Sequence, residues 1–419
     1  MNKYNTRDHS VIASIAWEPE KSAERINDHI LMSRGTSNSY VVTSDDGEVV
    51  INAGTPYQGA RHRERFEQLL GRPLNVRNIL FTQSHPDHIG GWSAFADAGA
   101  ETIVQREFPR ISDERKLLGS YFQPRAVRVL ATMTPKKEHV DAWYQGTRDP
   151  APLTLFADSH AFTVGGRRFE LLSVPSGETL DSLVVWLPGE RTLFTGNWMG
   201  AIQGALPNFY TARGDRDRSV PGFLRDMDML ISLRPELLIT GHDEPIAGAD
   251  HIAAYLGKIR DAVRHIHDET VKGMNEHKDL WTLMREIRLP AHLEPAPGRG
   301  PVCWYVRSVW EEYTGWFRSD STTELYPVPA STIWPDLVRL VGGVDRLVEA
   351  ARGRLAESHP VEALHFVEIA LAAEPRNRAV REAELAALEM LVDANGGLIF
   401  DELGWLEYAI AECRAAIGD

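Results

Sequence analysis

Three side chains that bind metal ions strongly lie within four consecutive positions of the chain: His85, Asp87 and His88. Two imidazoles and one carboxylate suit a divalent ion of intermediate hardness, such as Zn²⁺, Mn²⁺ or Fe²⁺. An isolated His-x-Asp-His segment is also compatible with histidines that only hydrogen-bond within a loop. The metal interpretation therefore depends on whether further ligands follow in the chain.

The elements that position these side chains follow an alternating order. The apolar run at residues 76–81 comes directly before them and predicts a buried strand that ends in a loop. Upstream, residues 30–70 predict hairpin strands followed by a helix with an apolar stripe. Three later polar residues also follow predicted strands, namely Glu178, Asn197 and His242. This order is typical of an α/β fold in which strand ends carry the functional side chains.

The segment at residues 82–92 resembles the H-x-H-x-D-H signature of the metallo-β-lactamase fold, in which two mixed sheets face each other with helices outside. The first histidine position of that signature holds Gln83, which offers only a neutral amide. Glu178 is similar to the glutamate ligand of the alkylsulfatase branch of the superfamily. Asn197 stands where the family has a carboxylate that bridges two metal ions.

This resemblance implies a hydrolase with a divalent metal cofactor, zinc foremost and manganese or iron as alternatives. The implied ligands are His85, Asp87, His88, Glu178 and His242, with Gln83 and Asn197 as weaker candidates. Either one ion binds to Asp87, His88 and His242, or a second, weaker ion also binds to His85 and Glu178. Such a metal activates water near neutral pH, and Asp87 is expected to be both ligand and proton acceptor.

A later segment, Pro-Asn-Phe-Tyr-Thr-Ala-Arg-Gly, resembles the alkylsulfatase segment that holds the sulfate group. By motif position the sulfate contacts are Asn208 and Arg213. Arginine offers a planar fork of donors for such an oxyanion. Trp304 stands at the position of the family's sulfate-side histidine and replaces a donor with an aromatic wall. Together with Tyr210 and Trp198, it is expected to line a pocket for an apolar or aromatic substrate.

The length of 419 residues predicts a core domain with an extension. We predict an N-terminal extension at 1–26, an α/β metallo-β-lactamase αββα sandwich at 27–270 and an all-α domain at 271–419. Residues 107–153 are predicted to be an insertion, either a substrate lid or a surface embellishment. The helix pairs of the last domain resemble the dimerisation domain of alkylsulfatases. The sterol-carrier-like domain of the longer sulfatases is not expected after it.

Composition argues against several classes of function. The net charge of −14 argues against nucleic acid or an anionic membrane as a partner. The two cysteines, Cys303 and Cys413, cannot form a disulfide framework and fit a reducing cytoplasm. No stretch is long and apolar enough to span a membrane. The N-terminus lacks the apolar core of an export signal, so no export is expected.

Three functions stay open. The first is hydrolysis of a sulfate ester of a small organic molecule. The second is cleavage of another activated C–O bond, in an aryl ether, an ester or a lactone, which Trp304 favours. The third is a metal-poor structural subunit that pairs with an intact paralogue, which Gln83 and Asn197 motivate. The expected assembly is accordingly a homodimer or a hetero-oligomer with that paralogue.

Overall fold

The computed structural model describes residues 22–129, 149–212, 214 and 217–418. These residues divide into two compact units. One unit consists of residues 22–127 and 149–310, and the other of residues 128–129 and 311–418. No helix in the described part of the chain has both the length and the apolar character needed to cross a bilayer.

The first unit contains two β-sheets. The strands of the seven-stranded sheet lie in chain order: β1 (Glu24–Arg25), β2 (Ile30–Ser33), β3 (Ser39–Ser44), β4 (Gly47–Ile51), β5 (Val76–Leu80), β6 (Glu101–Gln105) and β7 (Leu153–Phe156). The six-stranded sheet consists of β8 (Ser159–Val164), β9 (Arg167–Ser173), β10 (Leu183–Leu187), β11 (Thr192–Gly196), β12 (Leu237–Thr240) and β13 (Ile246–Ala247), also side by side in chain order. Strands β4 to β7 pair in parallel, and so do β11 and β12, whereas the other pairs are antiparallel. Both sheets are therefore mixed, as predicted.

Helices connect the strands and follow them. Those between the strands of the first sheet are α1 (Gly59–Leu70), α2 (Pro86–Ile89) and α3 (Phe108–Val129). Those of the second half of the unit are α4 (Val220–Ser232), α5 (Ala249–Asn275), α6 (Leu280–Glu286) and α7 (Val302–Thr314), which ends just past the unit boundary. The insertion predicted at 107–153 begins with α3, and its residues 130–148 lie outside the described residues.

Side chains alternate between the two faces of each sheet, and both faces of the central strands, such as β4, β10 and β11, are buried. Between the sheets, the rings of Tyr40 and Phe194 meet at 5.6 Å inside one apolar cluster. The outer face of the first sheet packs against Phe66 of α1. The outer face of the second packs against Phe223 of α4 and Ile252 of α5. Because each such buried side chain stabilises the fold by about 1.5–3 kcal/mol, this layering accounts for the predicted αββα sandwich.

The second unit is helical. Its α-helices are α8 (Trp334–Leu340), α9 (Val344–Ala356), α10 (Pro360–Ala373), α11 (Arg378–Asn395) and α12 (Phe400–Ile417). Small buried side chains lie where consecutive helices cross, including Ala351, Ala363 and Ala387. Alanine at such positions lets helices approach closely, which confirms the predicted helix-pair packing. The domain boundary predicted at residue 270 stays a prediction, and α5 runs across that position.

Candidate metal centre

Two strand ends from different sheets meet at one edge of the sandwich. Strand β5 ends at Leu80 and leads through a loop to α2, which carries Asp87 and His88. Strand β12 ends at Thr240, and His242 follows two residues later. One ligand atom from each of these three polar side chains lies within 4.8 Å of the others. In the described part of the chain, no other three His, Cys, Asp or Glu side chains bring their ligand atoms this close together. We call these three residues the Asp87 group.

The spacing within the Asp87 group fits a metal ion. Asp87 Oδ2 lies 3.4 Å from His88 Nε2 and 3.7 Å from His242 Nε2. Two ligands of a tetrahedral zinc ion with bonds of about 2.1 Å lie about 3.4 Å apart. The three side chains therefore already have the separation that a shared ion requires.

His242 is oriented as metal-bound histidines are. Its Nδ1–H donates to the backbone carbonyl of Thr36 at 2.6 Å. This bond places the lone pair on Nε2, the nitrogen that faces Asp87. Nε2 is buried and has no hydrogen-bond partner among the described residues. Because burying an unpartnered polar atom is costly, this nitrogen fits the role of a ligand.

Burial sets the protonation of the Asp87 group. It lowers the pKa of His88, although the Asp87 charge and the Asn197 side chain oppose the shift. It also lowers the pKa of His242, again against the Asp87 charge. Burial by itself raises the pKa of Asp87, but the neighbouring histidines outweigh it and hold that pKa below its ordinary value. Neutral imidazole and ionised carboxylate are the forms in which these groups bind metal.

Two glycines allow the strand ends to approach closely. A Cβ at Gly241 would lie 2.2 Å from Asn197 Oδ1 and 3.0 Å from His88 Cε1. Gly196 has φ of 55°, and a Cβ there would lie 2.2 Å from Thr82 Oγ1. Asn197 Oδ1 is buried without a hydrogen-bond partner within the described ranges. Asn197, a weak ligand candidate in the sequence, therefore borders the Asp87 group and offers it a neutral oxygen.

A buried polar turn before β3 holds both ligand segments. The Asn38 backbone N–H donates to the Gly241 carbonyl at 2.7 Å, and its side-chain amide donates to the His242 carbonyl at 3.0 Å. The Ser37 hydroxyl donates to the Asp87 carbonyl. This turn positions the ligands without touching their metal-binding atoms. Sequence reasoning missed it, because a short polar run between strands is usually a solvated turn.

A second set of predicted ligands forms a separate cluster with a residue that the sequence did not single out. Gln83 Nε2 lies 2.8 Å from His85 Nδ1, and Glu178 Oε1 lies 3.3 Å from the same nitrogen. Glu178 Oε2 accepts from Arg218 Nη1 at 3.0 Å. The Arg218 side chain is only 1% exposed. We call these four residues the Arg218 cluster.

Arg218 also donates through Nη1 to the Asn208 carbonyl. In the sequence it stands in an alternating run, Asp-Arg-Asp-Arg, that resembles a solvated surface loop. Its burial is a tertiary property, because it depends on Glu178 arriving from a turn 40 residues earlier. No local pattern of residues identifies Arg218 as a buried side chain.

The predicted substrate contacts are partly brought together. The rings of Tyr210 and Trp304 meet edge to face at 5.1 Å. Asn208 is buried, and its Oδ1 accepts from the backbone N–H of Thr211 at 3.0 Å, which stabilises the turn. Trp198 is fully buried and stacks on a core phenylalanine at 4.5 Å, so here it is a core residue and not a pocket wall. Arg213 lies outside the described residues.

Comparison with known families agrees with this geometry. Residues 32–242 match the profile of the metallo-beta-lactamase superfamily, and residues 282–398 match the alkyl sulfatase dimerisation profile. Since the first match covers half of the chain and contains the whole Asp87 group, the chain belongs to the metallo-β-lactamase superfamily. The second match covers most of the helical region.

Curated relatives carry the names of sulfatases. A linear primary-alkylsulfatase from a Pseudomonas strain is 27% identical over 333 residues, which are 74% of this chain and 62% of the relative. An alkyl/aryl-sulfatase of Saccharomyces cerevisiae is 23% identical over 392 residues, which are 88% of this chain and 60% of the relative. This chain thus spans about three fifths of the length of these relatives.

A solved structure shows the same fold. The stereoselective inverting sec-alkylsulfatase from a Pseudomonas species superposes with a TM-score of 0.79 at 20% identity. The alignment covers 95% of this chain and 66% of that protein. At this identity the similarity establishes the fold, and both regions of the chain take part in it.

Proposed function

We propose that this protein is a metal-dependent hydrolase that cleaves sulfate esters of small organic molecules. The observation that carries the proposal is the Asp87 group, in which a buried, unpartnered His242 nitrogen faces a carboxylate at ligand spacing. The curated relatives, which are named as alkylsulfatases, support the choice of sulfate esters.

The donor set indicates which residues would hold the metal. Asp87, His88 and His242 supply one carboxylate oxygen and two imidazole nitrogens, a combination that zinc accepts readily and that manganese and iron also accept. Bound there, a divalent ion would polarise the bond to be cleaved and make water a stronger acid near neutral pH.

The other proposed roles belong to the chain's own side chains. Asp87 is only slightly exposed, and we propose that it accepts a proton at the same edge of the sandwich. Tyr210 and Trp304 offer an aromatic surface for the organic part of the substrate. Because of its position in the motif, Arg213 is proposed to contact the sulfate. Asn208 would act by shaping the turn through its bond to Thr211.

Metal content and bond specificity test this proposal together. Purified protein should contain at least one equivalent of zinc, manganese or iron by mass spectrometry. It should release sulfate from an alkyl or aryl sulfate faster than it cleaves a carboxylic ester or an aryl ether of the same organic group. Chelator-treated protein is the matched control, and resupplied metal should restore the activity.

Two outcomes would contradict the proposal. Metal binding with faster cleavage of the ester or ether would assign the site to another C–O bond, the alternative that Trp304 raised. Less than about a tenth of an equivalent of metal after resupply would favour the metal-poor partner subunit, because the Asp87 group could then not perform the chemistry that zinc supplies.

The proposed assembly is a homodimer formed through the helical unit. The dimerisation profile over residues 282–398 supports this, and so do large apolar side chains on the surface of that unit, such as Leu340 and Trp316. Leu340→Glu should convert a dimer into a monomer in light scattering. Leu117→Glu is the matched control, because Leu117 of α3 is equally exposed, at 81%. A Leu340→Glu protein that stays dimeric would place the interface elsewhere.

The proposed compartment is the cytoplasm. Cys303 and Cys413 are both free thiols in the structure. Free cysteines persist in a reducing compartment, which supports this assignment.

A further inference from the structure

The Arg218 cluster contains His85 and Glu178, the two residues at which the sequence left a second, weaker metal ion open. Its potential ligands are already engaged with one another. Gln83 and Glu178 both lie against a single ring nitrogen of His85, at 2.8 and 3.3 Å. The other oxygen of Glu178 is bound by the Arg218 guanidinium at 3.0 Å. In contrast to Asp87 in the Asp87 group, the carboxylate of this cluster is therefore paired with an arginine of the protein.

The chemistry of the cluster also differs from that of a metal site. Gln83 directs an amide nitrogen, which has no lone pair for a metal, toward His85. Glu178 is the cluster's carboxylate, and its negative charge is already balanced by a buried cation. Among the described residues, the side chains that could hold an ion together are those of the Asp87 group. A second divalent ion would therefore find no second group of three such ligands in the described part of the chain, and it would approach a guanidinium of the same charge sign.

We infer that the protein binds one divalent ion per chain, and that the Arg218 guanidinium supplies the positive charge that a second ion would otherwise bring to Glu178. This inference rests on the proposed metal site and goes beyond it by fixing the number of ions. An arginine side chain stays protonated at any pH a protein experiences. The positive charge that Arg218 places beside Glu178 is therefore permanent and independent of the metal supply.

Burial explains why Arg218 is fixed in this role. The Arg218 side chain is 1% exposed, and the Glu178 side chain is 7% exposed. Separating such a pair leaves two uncompensated buried charges, which is far more costly than keeping the pair. A divalent ion at Glu178 would have to displace Arg218 from this position. Two changes are thus needed to admit it: a donor in place of the Gln83 amide, and removal of the Arg218 charge.

The test counts ions per chain in a set of four proteins dialysed against excess zinc. The set consists of the wild type, Gln83→His, Arg218→Met and the double variant. The first three should bind one ion, and the double variant should bind two. Arg225→Met is the matched control, since Arg225 is an exposed arginine of α4. Cobalt-loaded proteins give a second readout, because two neighbouring ions couple magnetically and one ion does not.

A further variant tests the inference without the double substitution. Glu178→Gln should still bind one ion per chain, because Glu178 is engaged by Arg218 and does not hold the metal. Two ions in the wild type, or a lower ion count in folded Glu178→Gln, would overturn the inference. So would a folded double variant that binds only one ion. Less than a tenth of an ion in the wild type would instead refute the proposed metal site itself, and this inference with it.

Discussion

The metal ligands predicted from the sequence lie in two clusters, and the structure gives these clusters different chemical states. In the Asp87 group, the buried Nε2 of His242 has no hydrogen-bond partner in the described part of the chain. In the Arg218 cluster, His85 and Glu178 are both engaged by neighbouring side chains. Residue type predicted ligands in both places. What separates the two clusters is whether the carboxylate already has an arginine beside it.

Charge balance gives the physical reason for this difference. The imidazoles of His88 and His242 lie 3.4 and 3.7 Å from the Asp87 carboxylate, and burial favours their neutral forms. A buried carboxylate without a permanent cation favours binding of a metal ion. Glu178 has such a cation in Arg218. The same carboxylate chemistry therefore leads to metal binding in one cluster and to an internal ion pair in the other.

The largest expected effect comes from removing an unpartnered donor of the Asp87 group. His242→Gln should lower metal affinity by more than about 100-fold, because even residues that only orient metal ligands contribute 10–100-fold. Hydrolytic activity should fall by roughly 1,000-fold, since the chemistry depends on the ion. Metal content and turnover of the same preparations measure both effects.

His251→Gln is the matched control for this experiment, because His251 is exposed on α5 and lies outside both clusters. It should keep full metal content. If His242→Gln retained its metal while the Glu178→Gln variant lost it, the assignment of the two clusters would be reversed.

The sequence predicted the positions of the ligands better than their chemical states. His88 and His242 were identified because each follows a predicted strand and stands at a position that resembles a metal ligand of the superfamily. The sandwich was predicted from the resemblance to the metallo-β-lactamase fold, whereas apolar periodicity predicted the individual strands and the helix pairs. Local patterns of this kind can be detected in a single sequence.

The missed features depend on contacts between distant segments. Arg218 is buried only because Glu178 comes from a turn 40 residues earlier, and the alternating charges around it resemble a solvated loop. The turn with Ser37 and Asn38 bonds to segments about 50 and 200 residues later. No local pattern records such pairings, so the partners of Glu178 could not be predicted even where its position was.

A second buried carboxylate sharpens the comparison with Asp87. Asp181 lies on the same turn as Glu178, and its Oδ1 accepts from the Ser84 hydroxyl at 3.2 Å. Burial raises its pKa to about 6, because the hydrogen bonds from neighbouring hydroxyls only partly offset the loss of hydration. Asp87 is slightly more exposed, and the histidines beside it lower its pKa.

Asp181→Asn should therefore stabilise the protein at high pH. The folded state holds the Asp181 proton up to about pH 6, whereas the unfolded chain loses it near pH 3.8. The stability of the wild type is therefore highest, with respect to Asp181, below about pH 3.8, and it falls as pH rises through about 6. At pH 8 the variant should be more stable by as much as about 3 kcal/mol, and near pH 4 by little. Urea unfolding at both pH values measures the difference. Asp158→Asn, at an exposed position, is the control and should change neither value.

A third buried histidine, His62 of α1, tests whether an unpartnered nitrogen is sufficient for metal binding. Its Nδ1 lies 2.8 Å from Ser33 Oγ, and its Nε2 is buried without a hydrogen-bond partner among the described residues. Unlike His242, it belongs to no cluster of metal-ligating side chains in the described part of the chain. We expect it to act only on stability.

Burial, reinforced by the charges of Arg65 and Arg61, lowers the pKa of His62 to about 3. As pH falls below about 6.5, His62 binds a proton in the unfolded chain but not in the folded protein. The free energy of unfolding therefore decreases by about 1.4 kcal/mol for each pH unit from pH 6.5 down to pH 3. Relative to His62→Gln, the wild type should lose about 2 kcal/mol on going from pH 7 to pH 5, as measured by urea unfolding. Metal content should be the same in both proteins. A loss of metal in His62→Gln would show that an unpartnered buried nitrogen can support the ion without a carboxylate beside it. The charge balance of the carboxylate could then not be what distinguishes the Asp87 group from the Arg218 cluster.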